Sequence, residues 1–383
     1  MKTISVLLMA SVAWAATPAE TAIESAKSEI AKHSGYAPNY SALAMAYVMR
    51  AHETADPQYY AQAEESVQQG FKLSPDLYDG KKAEVLIALG RHEYARAWEL
   101  ATRLNKETPD DVAVYGYLVD ADVALGDYQG AVTAAQWMLD LRPGNIPGLS
   151  RAAMLRELHG NLAGALELMQ TAYGSLPMAA TGDRASMLVR MAHVLSLMGD
   201  LANAEESAKR ALTVFPDYYT ALAELARIRV TQKQYDEAVM LLNKLCGAVP
   251  RGEYLYARGE ALELAGRSDE AAKAFAEFER KAAAETELGD NSNRELVAYY
   301  VDHAQQPAKA IEVARREVER RKDVFTLDCY AWALAANGQY DAASAQMKQA
   351  MRIPVRDPKI LAHCEFIAER VRQSSKNLDA PAR

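Results

Sequence analysis

The sequence predicts an all-α fold: a solenoid of about nine helix-turn-helix repeats, with a leading helix and a C-terminal cap helix. Three observations predict it. Prolines recur about every 34 residues, alanines recur in step with them, and apolar residues lie at helical spacing within each unit. Self-similarity at a fixed period of about 20–50 residues is typical of repeat architectures. A chain of 383 residues also exceeds what one ordinary core needs, which favours an array.

The repeat is clearest in two series of small or rigid residues. The prolines follow at intervals of 34, 34, 34, 39 and 34 residues: Pro75, Pro109, Pro143, Pro177, Pro216 and Pro250. An alanine stands twelve residues before each proline, and this second series continues after the prolines stop: Ala63, Ala97, Ala131, Ala165, Ala204, Ala238, Ala271, Ala310 and Ala343. We expect each alanine where two helices cross, because axes about 8–10 Å apart leave no room for a larger side chain.

The third unit illustrates how one repeat is built. Its first helix is predicted from apolar residues on one side, such as Tyr115 and Leu118. This helix is expected to end at Gly126, because a residue without Cβ takes the left-handed conformation at little cost. The second helix carries Ala131 on its buried side and is expected to end before Pro143.

This unit resembles the tetratricopeptide repeat, in which Gly-x-Tyr-x-x-Ala is followed by a proline twelve residues later. Fuller matches to that pattern occur in the first, seventh and ninth units: Tyr40-x-x-Leu43-Ala44-x-x-Tyr47, Arg258-Gly259 with Ala271 and Phe275, and Gly338-x-Tyr340-x-x-Ala343. The resemblance covers residues 36–373, nearly the whole chain after its first segment. It implies a right-handed α-solenoid whose first helices form a concave face. Lengthened connections at 178–184 and 282–293 leave the curvature there open.

The two ends of the chain are predicted to lie outside the array. Residues 1–15 (MKTISVLLMASVAWA) are interpreted as a signal peptide, with a positive Lys2, a short apolar run and a small-x-small cleavage pattern. Cleavage after Ala15 predicts an exported protein, periplasmic or secreted, that begins with a leading helix within 16–35. The polar tail 374–383 lacks enough apolar residues to pack, so disorder is expected there.

Composition and motifs disfavour several classes of function. The formal net charge of −8 argues against nucleic-acid binding, and the apolar runs are shorter than the roughly 20 residues of a membrane span. The sequence has no phosphate-binding loop, HExxH, CxxC or G-x-S-x-G motif, and no two histidines share a helix face. We therefore expect no cofactor and no metal. Cys329 and Cys364 are 35 residues apart, which predicts equivalent places on successive first helices and no disulfide.

The resemblance implies which side chains line the concave face. The candidate partner-binding residues are Tyr117, Asp120, Arg151, Arg190, His193, Arg227, Tyr256, Tyr299 and Trp332. The lining is predicted to be basic in the middle of the array, where its three arginines lie, and aromatic toward the C-terminal end. Such a set suits an acidic or aromatic-bearing segment, since Arg and Trp dominate interface energies.

The leading hypothesis is a non-enzymatic scaffold or adaptor of the bacterial cell envelope that binds a protein or peptide segment in this groove. One alternative is a structural envelope component that self-associates through its convex face or an end. Another is an enzyme or small-molecule binder with a pocket near His193, whose side chain is one turn from Ser196. No third residue that would orient such a pair can be placed.

Overall fold

The computed structural model describes the backbone of residues 17–378 and the side chains of residues 17–374. Throughout this range the regular secondary structure is helical, and no strand occurs in it. No helix in the same range combines the length and the apolar character that a bilayer span requires. The predicted signal peptide, residues 1–15, lies outside the described residues.

Nine helix pairs stand between a leading helix, α1 (Pro18–Lys32), and a last helix, α20 (Pro358–Leu378). In chain order the first helices of the pairs are α2 (Pro38–Thr54), α4 (Tyr78–Gly90), α6 (Val112–Leu125), α8 (Ile146–Leu158), α10 (Thr181–Leu197), α12 (Tyr219–Thr231), α14 (Gly252–Leu264), α16 (Asn293–Ala298) and α18 (Val324–Ala336). The second helices are α3 (Gln58–Leu73), α5 (Tyr94–Glu107), α7 (Tyr128–Leu141), α9 (Leu162–Ser175), α11 (Leu201–Val214), α13 (Tyr235–Ala248), α15 (Ser268–Glu285), α17 (Pro307–Arg320) and α19 (Tyr340–Ala350). The predicted all-α repeat architecture is confirmed.

The alanine series marks the helix crossings as expected. All nine alanines are buried, and eight of them are completely inaccessible to solvent. Each unit also has one residue with positive φ in the turn between its two helices: Ala55, His92, Gly126, Gly160, Gly199, Lys233, Gly266, Gln305 and Gly338. The turn geometry therefore repeats even in the four units that place a residue other than glycine there.

Two predicted boundaries differ in the structure. Helix α20 continues past residue 373 as far as Leu378, because no glycine or proline interrupts the segment and Ser374 Oγ donates to the Arg370 carbonyl one turn back. Residues 379–383 of the predicted tail lie outside the described range. The connection at 282–293 begins later than expected, because α15 runs on to Glu285.

Successive turns of the solenoid touch along a line that we call the seam. The turn between the two helices of one unit lies against the loop that precedes the unit six repeats later. At the third unit, the Lys322 amide donates to the Ala124 carbonyl and the Val324 amide donates to the Tyr128 hydroxyl, both at 2.8 Å. Direct hydrogen bonds therefore hold the turn of the third unit against the loop that precedes the ninth unit.

The neighbouring units repeat this contact, so the seam is periodic. At the second unit, His92 Nδ1 donates to the Gly289 carbonyl at 3.3 Å. At the fourth unit, Gly160 lies directly against the carbonyl of Pro354 in the loop before α20. The array therefore completes a superhelical turn in about six units and closes onto itself.

Glycine residues allow the two backbone segments to approach each other this closely at the seam. A Cβ atom on Gly126 would lie 2.6 Å from the Lys322 carbonyl oxygen, closer than real Cβ contacts. A Cβ on Gly160 or Gly289 would also overlap a backbone carbonyl across the seam. Gly126 has in addition a φ of +80°, a conformation that side chains disfavour.

A buried carboxylate lies beside the turn of the third unit. Asp122 is 6% exposed, and burial together with the nearby charge of Asp127 raises the pKa of its carboxyl to about 6, although the Trp98 indole donates to it. The folded protein therefore binds this proton more tightly than the unfolded chain. The contribution of Asp122 to stability is therefore fully present below the unfolded pKa of 3.8 and is lost as the pH rises through about 6.

Asp122→Asn is expected to stabilise the protein at neutral pH by about 1–2 kcal/mol, because asparagine keeps an acceptor for Trp98 without a charge to bury. At about pH 3.5 most of the gain should disappear, since Asp122 is then fully protonated in the folded state and mostly protonated in the unfolded state. Urea unfolding at the two pH values measures the difference. Asp110→Asn, an exposed position, is the control for net charge. An equal gain at both pH values would contradict the assignment.

Candidate functional site

The concave face is built by the first helices, and ion pairs between successive units show which side chains share it. The Arg151 guanidinium on α8 donates to both carboxylate oxygens of Asp120 on α6, from Nε at 2.9 Å and from Nη2 at 2.5 Å. Its Nε also donates to the Gly116 carbonyl at 2.9 Å. The charge of Arg151 is therefore paired with the preceding unit, and its Nη1 donates to the Pro147 carbonyl of its own helix at 3.4 Å.

The next predicted arginine is also occupied. Arg190 Nη2 on α10 donates to the Ser150 carbonyl of α8 at 3.1 Å. Burial is the main cause that lowers the pKa of its guanidinium, and the nearby Glu157 carboxylate partly offsets this. The charge of Arg190 is thus directed into the protein.

His193 and Arg227 continue the same pattern. Arg227 Nη2 donates to His193 Nδ1 at 2.8 Å, and its Nε donates to Glu224 at 3.0 Å. A guanidinium only donates, so His193 Nδ1 must accept and its proton lies on Nε2, 3.3 Å from Glu157. Both ring nitrogens are used, which leaves His193 without a lone pair to serve as a base for Ser196.

The three arginines therefore do not form an unpaired basic stretch. Together with their acceptors they form a polar ladder that joins the first helices of units three to six. Spacings of 31 to 40 residues between partners, nearly one repeat, bring them into register. The ladder orders the concave face in this region and leaves it close to electrically neutral.

Two predicted tyrosines belong to the core. Tyr117 is 7% exposed and packs with buried residues of units two and three. Tyr256 is 6% exposed, with its ring 5.3 Å from that of Phe278, and its hydroxyl donates to Glu260 at 2.9 Å. Burial raises the pKa of both phenols.

Tyr299 is displaced by a feature that the sequence pattern did not indicate. Helix α16 has only six residues and continues as a π-helical turn over Tyr299–His303. A π turn inserts a residue and rotates everything that follows. The Tyr299 ring lies 5.4 Å from Phe275, and its hydroxyl is 3.4 Å from Glu279 on α15. It packs between units rather than into the concave cavity described next.

Trp332 is the predicted residue that reaches an open part of the concave face. Its indole Nε1 donates to Asp302 at 2.8 Å, and its ring stacks on His363 of α20 with centroids 4.1 Å apart and planes 6° from parallel. His363 Nδ1 donates in turn to Asp328, at 3.0 Å. These contacts hold the indole in one orientation.

A cavity of about 470 Å³ lies beside Trp332, between the first helices of units seven to nine and α20. We call it the C-terminal cavity. Residues of both apolar and charged type line it: Tyr256, Arg294, Glu295, Phe325, Trp332 and His363. His363 was not among the predicted residues, although the spacing that relates Cys329 to Cys364 also relates Asp328 to His363. When the repeat register is extended to α20, it predicts His363 on the same face as Asp328.

A second cavity of about 540 Å³ lies inside the superhelix, between its successive turns. Asp120 and Arg151 line it, together with tyrosines from both turns such as Tyr94 and Tyr254. The Tyr219 hydroxyl donates to the carbonyl of His52 at 2.9 Å, which joins the sixth unit to the first across the interior. The concave face is consequently divided, and the predicted residues do not form one continuous groove.

Comparison with known proteins supports the repeat assignment. Residues 195–259 match the family model described as tetratricopeptide repeat. No curated protein matches the chain. Among solved structures it is similar to PilW, a widely conserved type IV pilus biogenesis factor, at 18% identity over 54% of this chain and 93% of that chain, with a TM-score of 0.45.

Two further solved structures show a similar arrangement of helices. One is the APC/C hetero-tetramer Cut9–Hcn1, at 10% identity over 85% of this chain and 55% of that chain, with a TM-score of 0.48. The other is a tetratricopeptide repeat protein from Parabacteroides merdae, at 14% identity over 76% of this chain and 98% of that chain, with a TM-score of 0.39.

Proposed function

We propose that this chain, which is built of tetratricopeptide repeats, is a non-enzymatic interaction protein of the bacterial cell envelope that binds a segment of a partner protein in its C-terminal cavity. Tetratricopeptide repeats generally mediate contacts between proteins. In repeat arrays the concave surface is the usual place for such contacts. The export part of the proposal rests on residues 1–15 and their cleavage pattern.

The observation that carries the proposal is Trp332 beside a cavity of about 470 Å³. A tryptophan held rigidly by Asp302 and His363 loses little conformational entropy when a partner packs on it. Tryptophan is also among the residue types that contribute most to interface energy. By contrast, the arginines of the ladder already have acceptors within the chain.

Site-specific photo-crosslinking in living cells tests the proposal. With p-benzoylphenylalanine in place of Phe325, which lines the C-terminal cavity, we expect adducts with a partner protein in the periplasmic fraction. Trp332→Ala should remove most of these adducts, because truncating a central interface tryptophan costs about 2 kcal/mol or more. Trp137→Ala, which alters an exposed tryptophan on α7, should leave them unchanged.

The matched position for the crosslinker is Val132 on α7, which is exposed on the convex side. Adducts at Val132 but not at Phe325 would contradict the cavity proposal. If such adducts had twice the mass of the chain, they would favour self-association through the convex face, where Trp98 and Trp137 are exposed. Thermal unfolding of each variant checks that the fold is retained.

A further inference from the structure

The charges around the C-terminal cavity are unbalanced. Four carboxylates line it, and the arginine and lysine side chains that line it number two: Glu253, Glu295, Asp328 and Asp357 against Arg294 and Lys359. The acidic surplus is local, because the polar ladder in units three to six pairs its charges. Arg251 lies against Glu253, and His363 lies against Asp328. Glu295 and Asp357 therefore supply the negative potential that a ligand meets in this cavity.

Both cations of the cavity are directed toward other acids. Arg294 Nη1 lies 3.6 Å from Asp323, and Lys359 Nζ lies 3.8 Å from Asp302. The Glu295 carboxylate, in contrast, makes no side-chain hydrogen bond or ion pair within 4 Å among residues 17–374, although its charge acts on Arg294 from a greater distance. The cavity thus offers a carboxylate whose hydrogen-bonding capacity is free, whereas both of its cations already face acids of the chain.

The apolar part of the wall suits the stem of a basic side chain. Phe325 and Trp332 line the same cavity as Glu295. The Phe325 ring already carries the Arg294 guanidinium 5.9 Å above its centroid, which is the geometry of a cation–π contact. Long basic side chains bury their methylene groups on such rings and keep the charged end beside a carboxylate.

We propose that the segment bound in the C-terminal cavity carries an arginine or lysine, whose stem packs on Phe325 and Trp332 and whose charge pairs with Glu295. This inference rests on the proposed function and adds the chemistry of the partner. It reverses the sequence-based expectation of an acidic segment, because the arginines behind that expectation have their own acceptors. An acidic segment would place like charges beside Glu253 and Glu295.

Three capped pentapeptides of arginine, glutamine or glutamate serve as probes of the whole protein. The readout is the indole N–H signal of Trp332 in proton–nitrogen correlation spectra, assigned with Trp332→Phe, while the Trp98 and Trp137 signals are internal controls. We expect the arginine peptide alone to shift the Trp332 signal. Its affinity should decrease as the salt concentration is raised from about 50 to 500 mM. Glu295→Gln should weaken its binding about tenfold, the effect of losing a charged hydrogen-bond partner.

Glu312→Gln is the matched control, because Glu312 is exposed on α17 and its change alters the net charge equally. Equal weakening by Glu295→Gln and Glu312→Gln would overturn the pairing with Glu295. A Trp332 shift with the glutamine or glutamate peptide and none with arginine would overturn the basic chemistry but leave the cavity as a binding site. Silence of the Trp332 signal with all three peptides, together with no adducts at Phe325, would count against both proposals.

Discussion

Gly126→Ala is expected to lower the free energy of unfolding by about 3–4 kcal/mol, whereas Gly266→Ala should lower it by only about 1–2 kcal/mol. The two glycines stand in equivalent turns, with φ of +80° and +74°, so a side chain is strained equally in both. They differ in surroundings. A Cβ on Gly126 meets the Lys322 carbonyl across the seam, whereas one on Gly266 meets nothing within 4 Å.

Chemical unfolding of the two variants measures the difference, and small-angle scattering shows how Gly126→Ala is accommodated. If the seam opens locally rather than the whole fold being lost, the radius of gyration should rise while helical circular dichroism persists. Equal losses of stability for Gly126→Ala and Gly266→Ala, with unchanged radii, would mean that the seam contributes nothing to the stability of the array.

Glu317→Ala is expected to lower the free energy of unfolding by about 3–5 kcal/mol, the usual result of leaving a buried charge without its partner. Glu317 on α17 is 2% exposed, and its Oε1 lies 2.5 Å from Nε of Arg321, which is 7% exposed. Its Oε2 accepts from Asn293 Nδ2 at 2.8 Å. This carboxylate therefore joins the end of α17 to the start of α16, inside a unit that lacks the usual turn glycine.

Two controls separate charge from shape in that network. Glu317→Gln keeps an acceptor for Asn293 but loses the charge opposite Arg321, so its cost should be intermediate. Glu312→Ala, at an exposed position on the same helix, should change stability by no more than about 0.5 kcal/mol. Thermal and urea unfolding report all three. A loss for Glu317→Ala no larger than that for Glu312→Ala would show that the pair has no structural role.

The architecture was predictable because it depends on contacts between neighbouring units. Every helix crossing requires a small residue, because the two helix axes approach closely there. The period of Ala131 and its equivalents is therefore enough to predict the helix pairs. The seam depends instead on residues about six units apart, such as Tyr128 and Val324, and nothing in the period itself indicates how tightly the solenoid winds. The sequence marks the loop that contains Gly289 as a lengthened connection. It gives no indication that this loop contacts the second unit.

The candidate site was predicted only in part, and the reason is similar. The register placed Arg151 and Trp332 on the concave face, because that depends on position within one helix. Whether a charged side chain is free depends on the neighbouring helices, and Asp120 on the preceding first helix pairs with Arg151. Tyr299 was misplaced because a π turn changes the helical phase without a distinctive sequence.

The seam also restricts how the gene for such a chain can change. In an open solenoid, each unit touches only its neighbours, so units can be gained or lost with local effects. Here, deleting one unit between the third and the ninth would bring Tyr128 opposite residues 351–357 instead of Val324, and every seam contact would be offset by one repeat. The number of units between the two edges of the seam is therefore constrained, and we expect variation in length to concentrate at the ends of the array.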